Sequence, residues 1–189
     1  FIPFFLLVFF ILILAIIWRI NARKYISSGT VASAYDAWTQ DKLLERLWGE
    51  HIHLGFYPSG NKNIDFRKAK VQFVHELVKW SGLDKLPKGS RILDVGCGIG
   101  GSSRILAKYY GFNVTGITIS PAQVKRAREL TPSGLNCNFQ VMDALDLKFE
   151  DGTFDAVWSV EAGAHMNDKN KFADEMLRTL RPGGYLALA

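Results

Sequence analysis

The stretch Asp94-Val95-Gly96-Cys97-Gly98-Ile99-Gly100-Gly101 decides the fold of this chain of 189 residues. It overlaps Arg91 to Val95, where Ile92, Leu93 and Val95 predict a strand, and it precedes Ser102 to Tyr110, whose pattern predicts a helix. Glycines at such a turn let the backbone bend sharply and approach a ligand without a Cβ in the way. The helix behind the turn presents free N–H groups. The stretch therefore predicts a ligand-binding turn in an open α/β sheet.

Helical and strand patterns alternate on both sides of this glycine loop. Helices are predicted over Phe66 to Trp80, from Ser120-Pro121 onward and from Asp168 to about Leu180, and further strands over Asn113 to Ile119, Asn138 to Met142, Phe154 to Val160 and Tyr185 to Ala189. This alternation predicts a Rossmann-like α/β fold with a parallel sheet. Because a sheet cut at its fifth strand would expose an apolar edge, we expect the natural sequence to continue beyond Ala189.

Three segments are predicted along the chain: residues 1–25, 26–65 and 66–189. Residues 1–18 carry no charge, and a helix of that length spans roughly 27 Å, close to the apolar core of a bilayer. Cations follow directly at Arg19, Arg23 and Lys24, which favours a cytoplasmic position for the rest of the chain. We therefore expect a transmembrane anchor with a basic flank, in the plasma or thylakoid membrane. The alternative, a secretory signal peptide, needs cations before the apolar run and a small-residue cleavage site after it.

The remaining two segments are a predicted lid and a predicted ligand-binding domain. Residues 26–65 look helical from Val31 to Trp48 and then aromatic, and residues 66–189 carry the alternating pattern. The net charge of +5 is mild and its cations are scattered among acidic residues, so no nucleic-acid-binding stripe is indicated. The two cysteines, Cys97 and Cys137, indicate no disulfide framework and are interpreted as small buried residues.

Two cofactors compete for the glycine loop. Gly96, Gly98 and Gly101 satisfy the dinucleotide fingerprint, but such an enzyme needs an acidic residue about 20 positions later for the ribose. That region reads Gly116 to Ser120 without a carboxylate. Asp94, two residues before the first glycine, instead suits the cationic methionyl end of S-adenosylmethionine. The residues therefore favour S-adenosylmethionine over a dinucleotide.

The loop at Asp94 to Gly100 resembles that of the class I S-adenosylmethionine-dependent methyltransferases. Two further blocks of that superfamily are present, at Asp151 to Ser159 and at Leu180 to Leu186. Four narrower stretches are similar to the tocopherol and plastoquinone C-methyltransferases: Tyr35 to Gln40, Trp48 to Gly55, Gly116 to Pro121 and Trp158 to Met166. This resemblance covers essentially the whole chain. It departs at Asn167, a loop position where the family pattern has Pro.

The resemblance implies which residues contact S-adenosylmethionine. The implied cofactor residues are Asp94, Gly96, Gly98, Gly100, Thr118, Ile119, Gln123, Asp143 and Ala144. Asp143 suits the adenine amino group, since a carboxylate accepts and that amino group donates. Two of these positions have structural alternatives. Gln123 also completes a capping box with Ser120, and Asp143 could cap a helix or turn.

The resemblance also implies C-methylation of the ring of a prenylated benzoquinol with a phytyl or solanyl tail. Removing the phenolic proton would push charge onto the ring carbon, so a base is expected near the phenol. The favoured candidates are His165, His51 and Glu50, with His53 and Glu161 also in reach of such a role, whereas His75 lies mid-helix and is interpreted as structural. No metal is expected, because no cysteine or carboxylate set completes a site with His51 and His53.

Several alternatives to this function remain open. The substrate could be γ-tocopherol, or the enzyme could resemble cyclopropane synthases or sterol methyltransferases. Methylation of a nucleic-acid base is disfavoured, since Ser159-Val160-Glu161-Ala162 replaces the Asn/Asp-Pro-Pro-aromatic pattern typical of amino methylation. A non-catalytic, membrane-tethered protein that binds the cofactor is the alternative of another class. The aromatic residues Trp48, Phe56 and Tyr57 could contact the head group or the membrane interface, or pack as an ordinary lid.

Overall fold

The computed structural model describes residues 8–14, 16, 28–59 and 63–189. Most of the predicted anchor, residues 1–18, and its basic flank lie outside these ranges. Among the residues that are described, no helix combines the length and the apolar character needed to cross a bilayer.

The centre of the molecule is a five-stranded parallel sheet. Its strands run in the spatial order β3-β2-β1-β4-β5 and comprise β1 (Arg91–Val95), β2 (Asn113–Thr118), β3 (Cys137–Val141), β4 (Phe154–Ser159) and β5 (Leu180–Leu188). The predicted Rossmann-like sheet is confirmed. Because the order reverses between β1 and β4, a crevice forms at the carboxyl ends of the two strands, where open α/β sheets bind ligands.

Around the sheet lie six α-helices whose two ends both fall within the described residues. They are α1 (Ser28–Gln40), α2 (Leu43–Trp48), α3 (Phe66–Ser81), α4 (Gly101–Tyr110), α5 (Pro121–Leu130) and α6 (Lys169–Thr179), with short 3₁₀ turns at Leu83–Lys85 and Gly163–His165. The predicted N-caps are confirmed: Ser120 Oγ accepts the Gln123 N–H and Asp168 Oδ1 accepts the Lys171 N–H.

Two boundaries differ from the sequence prediction. The predicted helix from Val31 to Trp48 is broken into α1 and α2, because Lys42 takes a left-handed conformation with φ 52°. Strand β5 begins at Leu180 rather than Tyr185, and Pro182 and Gly183 lie inside it. Phe154 of β4 pairs with Leu180 of β5, whereas Ala156 pairs with Tyr185. Strand β5 therefore has extra residues at this point and forms a bulge. This bulge accommodates a proline, which cannot donate to the ladder, and a glycine with φ 71°.

The sheet is buried between two apolar layers. Helices α3 and α4 pack on one face through Val74, Val78 and Leu106, and α6 packs on the other through Phe172 and Met176. Cys97 is buried and Cys137 is partly buried, and burial raises the pKa of both thiols. The cysteines are therefore small, poorly reactive packing residues, as the sequence predicts.

Candidate active site

A cavity of about 620 Å³ opens at the carboxyl ends of β1, β2 and β4. Its walls come from the glycine loop, the ends of these strands, helix α1, the segment at residues 50–53 and the turn at residues 160–167. The volume falls in the range of about 300–1,000 Å³ that small-molecule sites occupy. The crevice at the switch in strand order is thus an open cavity, and residues of the N-terminal segment, which is called the lid below, form part of its wall.

The glycines of the loop differ in what lies next to their Cα atoms. A Cβ on Gly96 would lie 2.4 Å from the Ala162 Cβ, so this glycine permits close packing of the turn after β4. A Cβ on Gly98 would meet nothing within 4 Å, so its backbone borders open space where a ligand could approach. A Cβ on Gly100 would lie 2.6 Å from the Phe139 Cζ, so this glycine faces that ring rather than the cavity. Gly96 and Gly98 therefore suit the predicted cofactor contact, and Gly100 serves packing at the start of α4.

Asp94 is a buried acidic group in the cavity wall. Its side chain is 2% exposed, and Ser103 Oγ donates to its Oδ2 at 2.6 Å. Burial raises the pKa of Asp94 to about 7, against the smaller opposing effect of the Ser103 hydrogen bond. A cation bound beside it would favour the ionised carboxylate. The group therefore fits the cationic methionyl end of S-adenosylmethionine.

The end of β2 and the start of α5 hold three of the implied cofactor residues, for which the resemblance implies contact with the ribose. Thr118 Oγ1 donates to Gln123 Oε1 at 2.6 Å, and the Ser120 N–H donates to Thr118 Oγ1. Only half of the capping box forms, because Ser120 Oγ accepts the Gln123 N–H while the Gln123 side chain turns to Thr118. Thr118, Ile119 and Gln123 all line the cavity. The Gln123 side chain thus belongs to the site as well as to the start of α5.

Asp143 and Ala144 follow β3 and line the cavity at the position predicted for adenine. Asp143 Oδ1 accepts the Leu145 N–H at 2.9 Å, so the carboxylate does cap the local turn. Its other oxygen can still accept a hydrogen bond from a ligand amino group. The structural and the ligand-binding interpretations of Asp143 are therefore compatible.

The lid histidines form a hydrogen-bonded pair. His53 Nδ1 lies 2.7 Å from the Leu54 carbonyl oxygen, which can only accept, so Nδ1 carries the hydrogen. His53 Nε2 then accepts from His51 Nδ1 at 3.1 Å, which leaves His51 Nε2 as a neutral acceptor. Burial, followed by the positive charge of neighbouring groups, lowers the pKa of His51 to about 3. His51 is therefore suited to accept a hydrogen bond and poorly suited to hold a proton near neutral pH.

Glu50 and Glu161 are engaged in contacts between the lid and the domain. Glu50 Oε2 accepts from Arg104 Nη2 at 2.6 Å, and Arg104 Nη1 also donates to the Ile99 carbonyl of the glycine loop. Glu161 Oε1 accepts the Leu54 N–H at 2.9 Å, and its backbone φ is 54°. Both line the cavity, but Glu50 Oε2 is already engaged by the Arg104 guanidinium.

Tyr35 and His165 meet at the cavity wall. Tyr35 Oη lies 2.9 Å from His165 Nε2, and the two rings pack edge to face at 5.6 Å between centroids. Sequence reasoning singled out His165 but missed Tyr35, although Tyr35 opens the family-specific stretch from Tyr35 to Gln40. This phenol–imidazole pair is the strongest candidate in the cavity for moving a proton.

The described residues contain no group of three or more His, Cys, Asp or Glu side chains placed to hold a metal ion. His51 and His53 bond to each other instead of converging on a common point.

The chain belongs to the methyltransferase domain family, which matches residues 93–188. The cofactor of this family is S-adenosylmethionine, and the residues at the ends of β1, β2 and β3 fit it. Among curated relatives, the chain is 60% identical over 173 residues to a 2-methyl-6-phytyl-1,4-hydroquinone methyltransferase of Synechocystis sp., covering 92% of this chain and 54% of that protein. It is 43% identical over 156 residues to the chloroplastic tocopherol O-methyltransferase of Arabidopsis thaliana, covering 77% of this chain and 45% of that protein.

Among solved structures, the [4+2]-cyclase SpnF superposes with a TM-score of 0.76 at 30% identity, over 86% of this chain and 59% of that one. The two curated relatives named above are longer, and the chain spans about half of their length. A cyclase with this fold also means that fold alone does not define the reaction.

Proposed function

We propose that the protein is an S-adenosylmethionine-dependent C-methyltransferase that methylates the ring of a prenylated benzoquinol with a phytyl or solanyl tail, in tocopherol or plastoquinone biosynthesis. The observation that carries the proposal is the 60% identity to a 2-methyl-6-phytyl-1,4-hydroquinone methyltransferase. Since that alignment covers 92% of this chain, it extends beyond the family match at residues 93–188 and into the lid.

The cofactor would supply a methyl group on a cationic sulfonium. Asp94 would lie beside its methionyl end, Thr118 and Gln123 beside the ribose, and Asp143 beside the adenine. These side chains would bind and orient the cofactor. Alignment of the attacking ring carbon behind the methyl group lowers the activation barrier of methyl transfer. The remaining part of the cavity, below the lid, would receive the quinol.

The phenolic proton of the quinol would pass to the Tyr35–His165 pair. Loss of that proton pushes negative charge onto the neighbouring ring carbon, which makes the carbon a better nucleophile. His165 Nε2 is the atom that would take up the proton, directly or through Tyr35 Oη, which lies 2.9 Å away. His51, held neutral and fixed in one tautomer, would accept a hydrogen bond from the substrate.

The location of the reaction is part of the proposal. A quinol with a long apolar tail resides in the bilayer, so an enzyme at the membrane meets it without extracting it far. The uncharged run at residues 1–18 and the cations behind it support a single-pass anchor, with the catalytic domain on the cytoplasmic side of the plasma or thylakoid membrane.

A second candidate substrate is tocopherol itself. The observation in its favour is the 43% identity to a tocopherol O-methyltransferase, over 77% of this chain. The higher identity to the hydroquinone enzyme, over a longer alignment, makes the benzoquinol the first choice.

The test uses the full-length protein in membranes with methyl-labelled S-adenosylmethionine. Parallel reactions receive 2-methyl-6-phytyl-1,4-benzoquinol or γ-tocopherol, and label is counted in the lipid extract. Label on the benzoquinol alone supports the proposal, and label on γ-tocopherol alone replaces it with the second candidate. If the protein binds the cofactor but labels neither lipid, the cofactor assignment stands and both substrates are refuted.

A further inference from the structure

A patch of exposed apolar side chains lies on the lid and on the start of α3. The lid patch comprises Leu43, Leu47, Trp48, Phe56, Tyr57 and Phe66, each between 40% and 57% exposed. Large apolar residues exposed together mark an interaction surface more often than scattered ones do.

The members of the lid patch are held together by contacts between three parts of the chain. The rings of Trp48 and Phe66 pack edge to face at 6.5 Å, which joins the end of α2 to the start of α3. Arg67 Nη2 donates to the Arg46 carbonyl at 2.7 Å across the same junction. The Phe56 N–H donates to the Ala69 carbonyl at 2.9 Å, which brings the segment that carries Phe56 and Tyr57 against α3. These contacts bring Trp48, Phe56 and Phe66 close together, and Leu43, Leu47 and Tyr57 are their neighbours along the chain.

Cations outnumber carboxylates around the lid patch, where Asp41 accepts the Leu43 N–H and Asp65 accepts the Arg67 N–H. The two glutamates nearest to it are neutralised within the protein, since Glu45 pairs with Arg126 and Glu50 pairs with Arg104. In the part of the chain that the structure describes, Lys42, Arg46 and Lys68 form no ion pair. Arg67 donates to the backbone carbonyls of Arg46 and Leu47 and, like these three residues, forms no ion pair within the described ranges.

We infer that the lid patch docks on the surface of an anionic lipid bilayer. Trp, Tyr and Phe with flanking Lys and Arg are the residues that favour the membrane–water interface, where rings enter the headgroup layer and cations meet anionic lipid. The inferred lipid contact depends only on the exposure of the lid patch and on the cations around it. The advantage of this contact, delivery of a membrane quinol to the cavity, rests on the proposed function.

The lid patch borders the cavity through the extended segment after α2. Side chains alternate there: His51 and His53 are buried, whereas Ile52 and Leu54 are 41% and 74% exposed. Ile52 also lines the cavity, and Trp48 directly precedes this segment at the end of α2. A bilayer against the lid patch would therefore lie next to the cavity wall, which is a short route for an apolar substrate.

The experiment places a nitroxide on the full-length protein and measures what surrounds it. Leu47→Cys carries the label in the patch, in a background whose other exposed cysteines are serine. Trp80→Cys is the matched control, because Trp80 is 79% exposed and lies far from the patch. It is on the same helix as Phe66, roughly 21 Å further along the helix axis. On anionic vesicles we expect the label at position 47 to be more accessible to oxygen, which concentrates in lipid, than to a water-soluble nickel chelate. The label at position 80 should show the reverse.

Two further arms decide the interpretation. Arg46→Glu with Lys68→Glu should shift the label at position 47 toward nickel accessibility, whereas Arg46→Lys with Lys68→Arg should not. Equal nickel accessibility at positions 47 and 80 would overturn the inference. So would protection of position 47 from both reagents without vesicles, since a protein segment or a second copy would then cover the patch. Methylation assayed in the same vesicles separates the two proposals: lipid contact without product refutes only the function, and product without lipid contact refutes only the docking.

Discussion

Tyr35 Oη lies 2.9 Å from His165 Nε2, and this contact joins two residues 130 positions apart. It connects the lid helix α1 to the turn after β4, on the wall of the cavity. Helix α1 therefore contributes a side chain to the cavity wall and contacts the turn after β4 there.

His165→Ala should lower kcat by about 100-fold or more, because loss of a general base costs about 10²–10⁴-fold. Tyr35→Phe should lower kcat by roughly tenfold, and the double variant should be no slower than His165→Ala, because the two side chains act as a unit. Steady-state kinetics with the quinol measures these effects. Tyr109→Phe, at an exposed ring outside the cavity, is the control. Additive losses would show that the two residues act independently.

Cofactor affinity should depend on pH through Asp94. Its pKa of about 7 in the free protein means that the carboxyl is largely protonated at pH 5.5. A cationic ligand favours the ionised form, so affinity should rise as pH increases, by about tenfold between pH 5.5 and 7. Calorimetric titration with S-adenosylmethionine measures this. Asp94→Asn should weaken binding at pH 7 and remove the pH dependence, whereas Asp143→Asn should keep it. A pH-independent affinity in the unaltered protein would contradict the assignment.

His51 should make the free energy of unfolding fall in acid, relative to a variant that lacks this histidine. Its pKa is about 3 in the folded chain against an ordinary value of 6.5, so between these values the unfolded chain binds a proton that the folded one does not. The stabilisation is complete above pH 6.5 and is lost as pH falls, by about 2 kcal/mol between pH 7.5 and 5. Asp94, whose pKa is raised, acts in the opposite direction. Chemical denaturation across this range should therefore compare the unaltered protein with His51→Gln, in which only the histidine contribution disappears. Identical pH slopes would exclude the predicted role.

Gly101→Ala should separate the lid from the glycine loop. The new Cβ would lie 2.7 Å from the Glu50 carbonyl oxygen and 2.8 Å from His51 Cε1, so the segment that carries both must move. Overpacking of this kind costs about 1–3 kcal/mol, which thermal unfolding should register as a fall of several degrees. Gly163→Ala is the matched control, because its Cβ would meet only Phe172 Cε1, at an ordinary 3.5 Å. Equal melting temperatures for the two variants would show that the lid yields without cost.

Asp36 should be a docking point of the lid on α5. Its Oδ1 accepts from Ser120 Oγ and, at 3.1 Å, from the Ala122 N–H at the start of that helix. Asp36→Ala should lower the free energy of unfolding by about 1–2 kcal/mol, as loss of a helix-capping oxygen does. Asp36→Asn keeps an acceptor oxygen and should cost less. Urea denaturation compares them, and an equal loss in both variants would assign the effect to charge alone.

The sequence by itself determined the sheet and the cofactor wall of the site. The glycine loop, the β-branched strands and the N-caps at Ser120 and Asp168 are local signals, and each predicted its element to within a few residues. Asp94 was assigned to the cofactor from its position before the glycine loop, and Thr118 and Asp143 were assigned through the resemblance to the class I methyltransferases. All three line one cavity, because the carboxyl ends of parallel strands meet at one edge of the sheet.

Only the tertiary structure decided how the lid completes the site. The break at Lys42, the pairing of His51 with His53 and the ion pair of Glu50 with Arg104 depend on how the lid packs on the domain. Such contacts between distant segments have no periodic signature in the sequence, so their residues could be named but not assigned to partners. The same reason explains why Tyr35 was missed: its role exists only where α1 meets the turn after β4.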